Sequence, residues 1–317
     1  MKKIKKLIIN LNAADLLVVI FTSFLSLLAI IFNAKVIYWK EIVVINFFFQ
    51  SFIFTLAYFD EHRRTIFTHQ LRFWYLVPTI FLVFKELYNL IDPIRGRIYD
   101  NVLIDIDRFL FGGDPTHFLF QFTTPFLTEI LQIAYGTFFF LPIILGISLL
   151  AKDKKNELYY LAFIVVFGFF LSYIGYILFP AIGPRFTLHD YSQTNIELPG
   201  LFFTNFLREI VNAGESIPAG TLNPALVVQR DAFPSGHTEI TLLVMYLSVK
   251  YKSRSKYIII PLGSLLIIAT VYLRYHYVID LIAGAAFMVF TIWSGKYLYN
   301  WWMTVRGNER FYINGKS

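Results

Sequence analysis

An all-α, polytopic membrane bundle of about eight transmembrane helices is what this chain predicts, on three observations. First, 57% of its 317 residues are hydrophobic and only 15% are charged, with mean hydropathy +0.59, whereas a soluble domain carries ~25% charged residues. Second, apolar runs recur at lengths suited to a hydrocarbon core ~30 Å thick. Third, Lys and Arg alternate in density between the runs, as a multi-pass chain requires.

The runs fall near residues 16–32, 42–59, 73–91, 126–150, 158–179, 237–249, 257–273 and 277–295. Each is expected to be helical, because backbone groups in lipid must be satisfied within their own segment. The run at 237–249 is the shortest and opens in polar residues. Of the 28 Lys and Arg, 18 fall on one side: those at 2–6, 63–72, 152–155, 250–256 and 296–316. Nine fall on the other: Lys35, Lys40, Arg95, Arg97, Arg108, Arg185, Arg208, Arg230 and Arg274. Eight crossings with both termini cytoplasmic satisfy this bias. The opening "MKKIKK" has no small-residue cleavage site and leads directly into a span.

Both long connections, 92–125 and 180–236, then lie on the non-cytoplasmic side. In the second, "LFFTNFLREIV" (201–211) has an apolar face and a charged edge. It suits a helix lying in the membrane interface as well as a packed loop helix. The net charge of +7 is spread between the spans, so topology accounts for it and nucleic acid is not an expected partner. There is no cysteine, which removes disulfides, thiolate metal sites and a Cys nucleophile.

Four segments on the non-cytoplasmic side carry chemistry-bearing residues: "YDNVLIDIDRFLFGGDP" (99–115), "FPAIGPRF" (179–186), "RDAFPSGH" (230–237) and "YLRYHYVID" (272–280). His276 and Asp280 are spaced to share a helix face. A carboxylate on one imidazole nitrogen fixes the tautomer and leaves the other nitrogen as base or nucleophile; a buried structural hydrogen bond satisfies the same spacing. In "PSGH", Pro234 ends the loop and Ser235 can N-cap the next helix. Gly236 would let the backbone approach an anion, and free N–H groups at a helix start suit a phosphate. His237 projects into the same space. Arg230 either joins a phosphate cluster or is a loop arginine. Lys85 lies inside the third span, where a charge marks a candidate substrate site unless it snorkels outward.

These motifs resemble the type-2 phosphatidic acid phosphatase superfamily. Residues 234–237 match its PSGH signature, and His276 with Asp280 match the end of its third. The order of helices and motifs agrees from about residue 73 to 295. The resemblance implies a six-helix catalytic core over 73–300, preceded by two added spans (1–72) and followed by a cytoplasmic tail (301–317). There are departures. Ala269 and Thr270 stand where the family has Ser-Arg, leaving Arg274 to supply a guanidinium, and Leu178 stands where the first signature has Lys, before Arg185. The spacing of Asp100, Leu103, Asp107, Leu110, Phe111, Gly112 and Pro115 is similar to the inositol-phosphorylceramide synthase-like branch, and makes Asp100 and Asp107 candidate substrate-binding residues.

The resemblance implies metal-independent phosphoryl transfer without a cofactor, on a lipid phosphate or phospholipid. His276 would attack phosphorus, oriented by Asp280, and His237 would protonate the leaving alcohol. Arg185, Arg274, Ser235 and Gly236 would hold the phosphoryl oxygens. Two alternatives stand beside a phosphatase: a transferase moving a phospho-head-group to a lipid alcohol, and a lipid or anion transporter that uses the same arginines without chemistry.

Overall fold

The structure, a computed structural model, describes residues 7–63 and 65–312. The charges at Lys2, Lys3, Lys5, Lys6, Arg64 and Lys316 used in the side count lie outside them. The longer helices are α1 (Ala13–Ile31), α2 (Trp39–His62), α3 (Ile66–Trp74), α4 (Leu76–Arg95), α5 (Asp100–Phe111), α6 (Pro125–Gly136), α7 (Phe140–Leu150), α8 (Lys155–Leu178), α9 (Thr204–Gly214), α10 (Gly236–Lys250), α11 (Lys256–Tyr272) and α12 (Val278–Val305). Among the described residues there are no strands. The fold is the expected all-α bundle.

Helix starts follow local chemistry. Asn12 accepts from the Asp15 amide while Asp15 accepts from the Asn12 amide, a reciprocal cap for α1. Thr124 caps α6 by accepting from the Leu127 amide, with Pro125 at the first helical position. Gly96 and Gly112 end α4 and α5 with φ of 60° and 74°, the left-handed geometry that glycine tolerates.

By length and composition, α1, α2, α8 and α12 can each cross a membrane. The expected fourth span is interrupted: α6 and α7 meet at a 55° bend, so the continuous apolar run at 126–150 is two helices. Helices α4, α10 and α11 occupy the expected third, sixth and seventh places. However, α4 carries four charged residues within its length, and α10 and α11 have only 15 and 17 residues. They belong to the bundle by packing. Helix α8 is its axis. It contacts α1, α4, α7, α10 and α12, and Phe163, Ile164, Val166, Phe170 and Tyr173 are buried along it. Lipid is as apolar as these side chains, so close packing rather than water exclusion holds such helices together.

One boundary moves. The last helix was expected to end near 295 and continues to Val305. The segment beyond folds back: the Phe311 amide donates to Asn300 Oδ1 at 2.7 Å, and the Phe311 ring lies 5.0 Å from that of Tyr160. The first two helices are also tied into the core. Phe21 of α1 stacks on Phe170 of α8 at 4.1 Å, and Trp302 donates to the Leu11 carbonyl.

Candidate active site

One end of the bundle gathers all four chemistry-bearing segments. The loop after α8 is held by Asp100, whose carboxylate accepts the amides of Ile182 and Gly183 and the Tyr277 hydroxyl, all within 3.2 Å. Gly183 has φ of 89°, and a Cβ there would come within 2.5 Å of the Tyr275 carbonyl. Next to it, the Arg185 amide donates to the Arg274 carbonyl at 3.0 Å and the Ala232 amide to the Ala181 carbonyl at 3.0 Å. These bonds lock three loops into one surface. Asp107 accepts the amides of Val278 and Ile279, each at 2.8 Å. It thereby caps the start of α12, where a negative charge also suits the helix dipole.

The two histidines meet. His276 Nε2 lies 3.3 Å from His237 Nδ1, with ring centroids 5.5 Å apart. His276 Nδ1 lies 2.8 Å from the Ala232 carbonyl and 3.4 Å from Asp280 Oδ2. A carbonyl only accepts, so Nδ1 carries the proton and Nε2 keeps its lone pair, facing His237. Burial pushes His276 down to about 4, against the opposing pull of Asp231 and the Ala232 carbonyl and with a smaller contribution from Arg185. Its imidazole is therefore neutral at physiological pH. Asp280 is fully buried and takes the Tyr277 amide at 2.8 Å, while its Oδ1 has no partner. The expected His276–Asp280 pair is present, but the carbonyl makes the shorter contact.

Ser235 caps α10 as expected, accepting from the Thr238 amide at 3.2 Å. Its own amide, expected among the phosphate donors, is committed to the Asp280 carbonyl at 3.0 Å. Gly236 is required for a reason other than an approaching anion: a Cβ there would come within 2.4 Å of the Tyr176 hydroxyl.

Both expected phosphate arginines lie at this end and are almost fully buried. Arg185 stacks over Tyr275 at 4.8 Å, donates to Asn212 Oδ1 at 3.1 Å and pairs with Glu215. Arg274, with φ of 67°, pairs with Glu197. Arg230 faces away. It bonds the carbonyls of Val228 and Leu226 and pairs with Asp92, so the loop-arginine reading describes it. Lys85, a candidate substrate ligand, bonds the Gly214 carbonyl at 2.7 Å and Ser216 Oγ at 2.9 Å, tethering the end of α9. Asp100 and Asp107, the other two such candidates, hold backbone amides instead; burial pushes both carboxyls up and the amides oppose it.

Three features escape the sequence reading. Tyr135, in the last turn of α6, and Phe138, within the α6–α7 break, place their rings 4.7 and 4.3 Å from the His237 ring. Asp231 lies close enough to His276, Arg185 and Lys85 for its carboxyl, raised by burial, to be drawn down by all three. Glu239, half a turn beyond His237, accepts from Ser172 of α8 at 2.5 Å and Thr291 of α12 at 2.7 Å, pinning three helices beneath the histidines. The "YGTFFF" stretch at 135–140 held the signal for the break, in a glycine and threonine interrupting an apolar run.

Two histidines, one buried and one partly buried, thus meet at a capped helix start, at the end of the bundle that also holds Arg185 and Arg274. Residues 101–294 match the PAP2 superfamily, and since that is more than half of the chain, the protein belongs to this superfamily. The chain is also 26% identical over 193 residues to a PA-phosphatase related-family protein of Dictyostelium discoideum. That match covers 54% of this chain and 32% of the relative, so it spans about a third of the relative's length. No solved structure matches significantly. Membership points to lipid phosphatase-type activity in a multi-pass membrane protein.

Proposed function

We propose that the protein hydrolyses or transfers a lipid phosphate through a covalent phosphohistidine on His276. The observation that carries this reading is the contact of His276 Nε2 with His237 Nδ1 at 3.3 Å, together with the Ala232 carbonyl that holds the proton on Nδ1. In the first step Nε2 bonds to phosphorus, the bond from phosphorus to the lipid oxygen breaks, and His237, which enters the step as an imidazolium beside the phosphate, gives its proton to that oxygen and is left neutral. In the second, water attacks phosphorus, His237 takes its proton, and the nitrogen–phosphorus bond breaks to release phosphate. Arg185 and Arg274 serve the charge that spreads over the phosphoryl oxygens. Asp280 stabilises the imidazolium character that develops on His276. The active-site end faces away from the cytosol, in line with the charge bias of the sequence.

Phosphate release from phosphatidic acid by detergent-purified protein tests this reading. His276→Ala should lower turnover by at least about a thousandfold. Undiminished turnover in that variant would remove the nucleophile.

A second reading keeps the first step and replaces water by an alcohol. It is favoured by a cavity of about 170 Å³ beside Arg185, lined by Arg208, Asn195, Asn205, Asn212 and Tyr191. Such side chains offer the donors and acceptors that a hydroxylated phospho-head-group requires. Incubation with labelled phosphatidylinositol and ceramide or diacylglycerol distinguishes the readings, because a transferase yields a new phospholipid where a phosphatase yields free phosphate.

A further inference from the structure

We propose that Glu215 and Glu197 are resident anions that occupy the phosphoryl arginines, so that the segment between them is a gate which the substrate phosphate must displace. The inference rests on the reading of Arg185 and Arg274 as phosphate ligands. Each guanidinium is enclosed, at 4% and 1% exposure, and each is paired with a carboxylate from the same connection: Glu215 on Arg185, Glu197 on Arg274. The bond from the Arg185 amide to the Arg274 carbonyl joins the two arginine backbones, so both ion pairs lie at the same end of the bundle. A carboxylate offers a guanidinium the same pair of accepting oxygens as a phosphoryl group. The carboxylates are more open than the arginines, at 15% and 33% exposure, and can leave toward solvent.

The pairing has a physical reason. Two buried guanidiniums without counter-ions are strongly unfavourable, and an empty phosphate site would contain them. The glutamates remove that cost in the resting protein, and a phosphate removes it in their place.

Between the two glutamates lies α9, which packs against α6 and is held at both ends. At its start, Glu129 accepts the amides of Leu201, Phe203 and Thr204 and the Thr204 hydroxyl. At its end, Lys85 holds the Gly214 carbonyl and Ser216, Arg185 holds Asn212 and Glu215, and the Gln229 amide donates to the Glu215 carbonyl, while Arg208 in mid-helix holds the Leu198 carbonyl. One part of the tether at the end is therefore the arginine that phosphate would claim, and losing it loosens that end while Lys85, Gln229 and Arg208 keep the helix attached. Phe202, Phe203, Phe206 and Ile210 are exposed along the helix and its start, an apolar face suited to the membrane interface in which it would travel. The apparent affinity for phosphate is then the intrinsic affinity reduced by the fraction of open protein.

Calorimetric titration of the full-length protein in detergent with inorganic phosphate tests the gate without requiring turnover. Glu215→Gln with Glu197→Gln preserves side-chain volume and removes the competing charges. The doubly substituted protein should bind phosphate about tenfold more tightly than wild type and lose that gain when Arg185→Ala is added. If it binds no tighter, while Arg185→Ala weakens binding to the wild-type protein, the gate is overturned and the arginine site stands. If neither the wild-type nor the doubly substituted protein binds phosphate, both are overturned. Hydrogen exchange of the wild-type protein, which does not depend on how the variants fold, gives a second measurement. Saturating phosphate should accelerate exchange across residues 197–216, and unchanged or slower exchange there during demonstrated binding contradicts displacement.

Discussion

The Ala232 carbonyl decides which nitrogen of His276 is free, at 2.8 Å from Nδ1. Because burial holds the folded imidazole down at about 4 against an ordinary value of 6.5, Nε2 remains unprotonated well into acid. His276 should therefore contribute an acid limb to kcat/KM centred near pH 4, read from a pH–rate profile. The same shift makes the folded protein bind fewer protons than the unfolded chain between those two values. The contribution to stability is intact above pH 6.5 and is lost as pH falls toward 4; melting temperatures should decline over that window less steeply in His276→Gln. At Gly236 the constraint is steric. Gly236→Ala should destabilise the fold by about 1–3 kcal/mol, since its methyl would meet the Tyr176 hydroxyl at 2.4 Å. Tyr176→Phe in the same chain should restore part of the loss, as measured by thermal unfolding.

At the scale of elements, the site is a meeting of helix ends and short loops. Asp107 caps α12 and Ser235 caps α10, the helices that begin just beyond His276 and at His237. Asp107→Ala should cost about 1–2 kcal/mol and lower kcat more than it raises KM, because it displaces the nucleophile's neighbours without touching substrate; steady-state kinetics and unfolding together check this. Much of this end was legible. The serine cap follows from a serine standing just before an apolar helical run, and the meeting of His237 with His276 follows from family motif order. Other parts were not. The Ala232 carbonyl is backbone and leaves no mark in residue type. Tyr135 and Phe138 sit in a run that reads as lipid-facing bulk, and the bend between α6 and α7 is marked only by Gly136 and Thr137, because hydropathy stays high across it. The roles of Arg230 and Lys85 depend on which carbonyls lie within reach, which only the folded loops determine.

Across the whole molecule, the two ends of the bundle are organised differently. Opposite the histidines, Arg72 is buried against Asp15 and Asp60, with Tyr75 on Asp15 at 2.6 Å, joining α1, α2, α3 and the start of α4. The N-terminal helices are thus welded to the core rather than appended to it. Arg72→Ala leaves two buried carboxylates without their cation and should destabilise the protein by about 3–5 kcal/mol, visible as a lowered melting temperature. A chain starting after residue 64 should fail to yield a stable bundle for the same reason, combined with the loss of the Phe21–Phe170 stack.

The central claim concerns one nitrogen atom. Acid-free rapid quenching of the purified protein during turnover of phosphatidic acid, followed by proteolysis and mass spectrometry, measures it directly. The account predicts one phosphoryl group on the peptide containing His276, absent from His276→Ala. A phosphoryl group on any other residue, or steady turnover by His276→Ala with none at all, would contradict it.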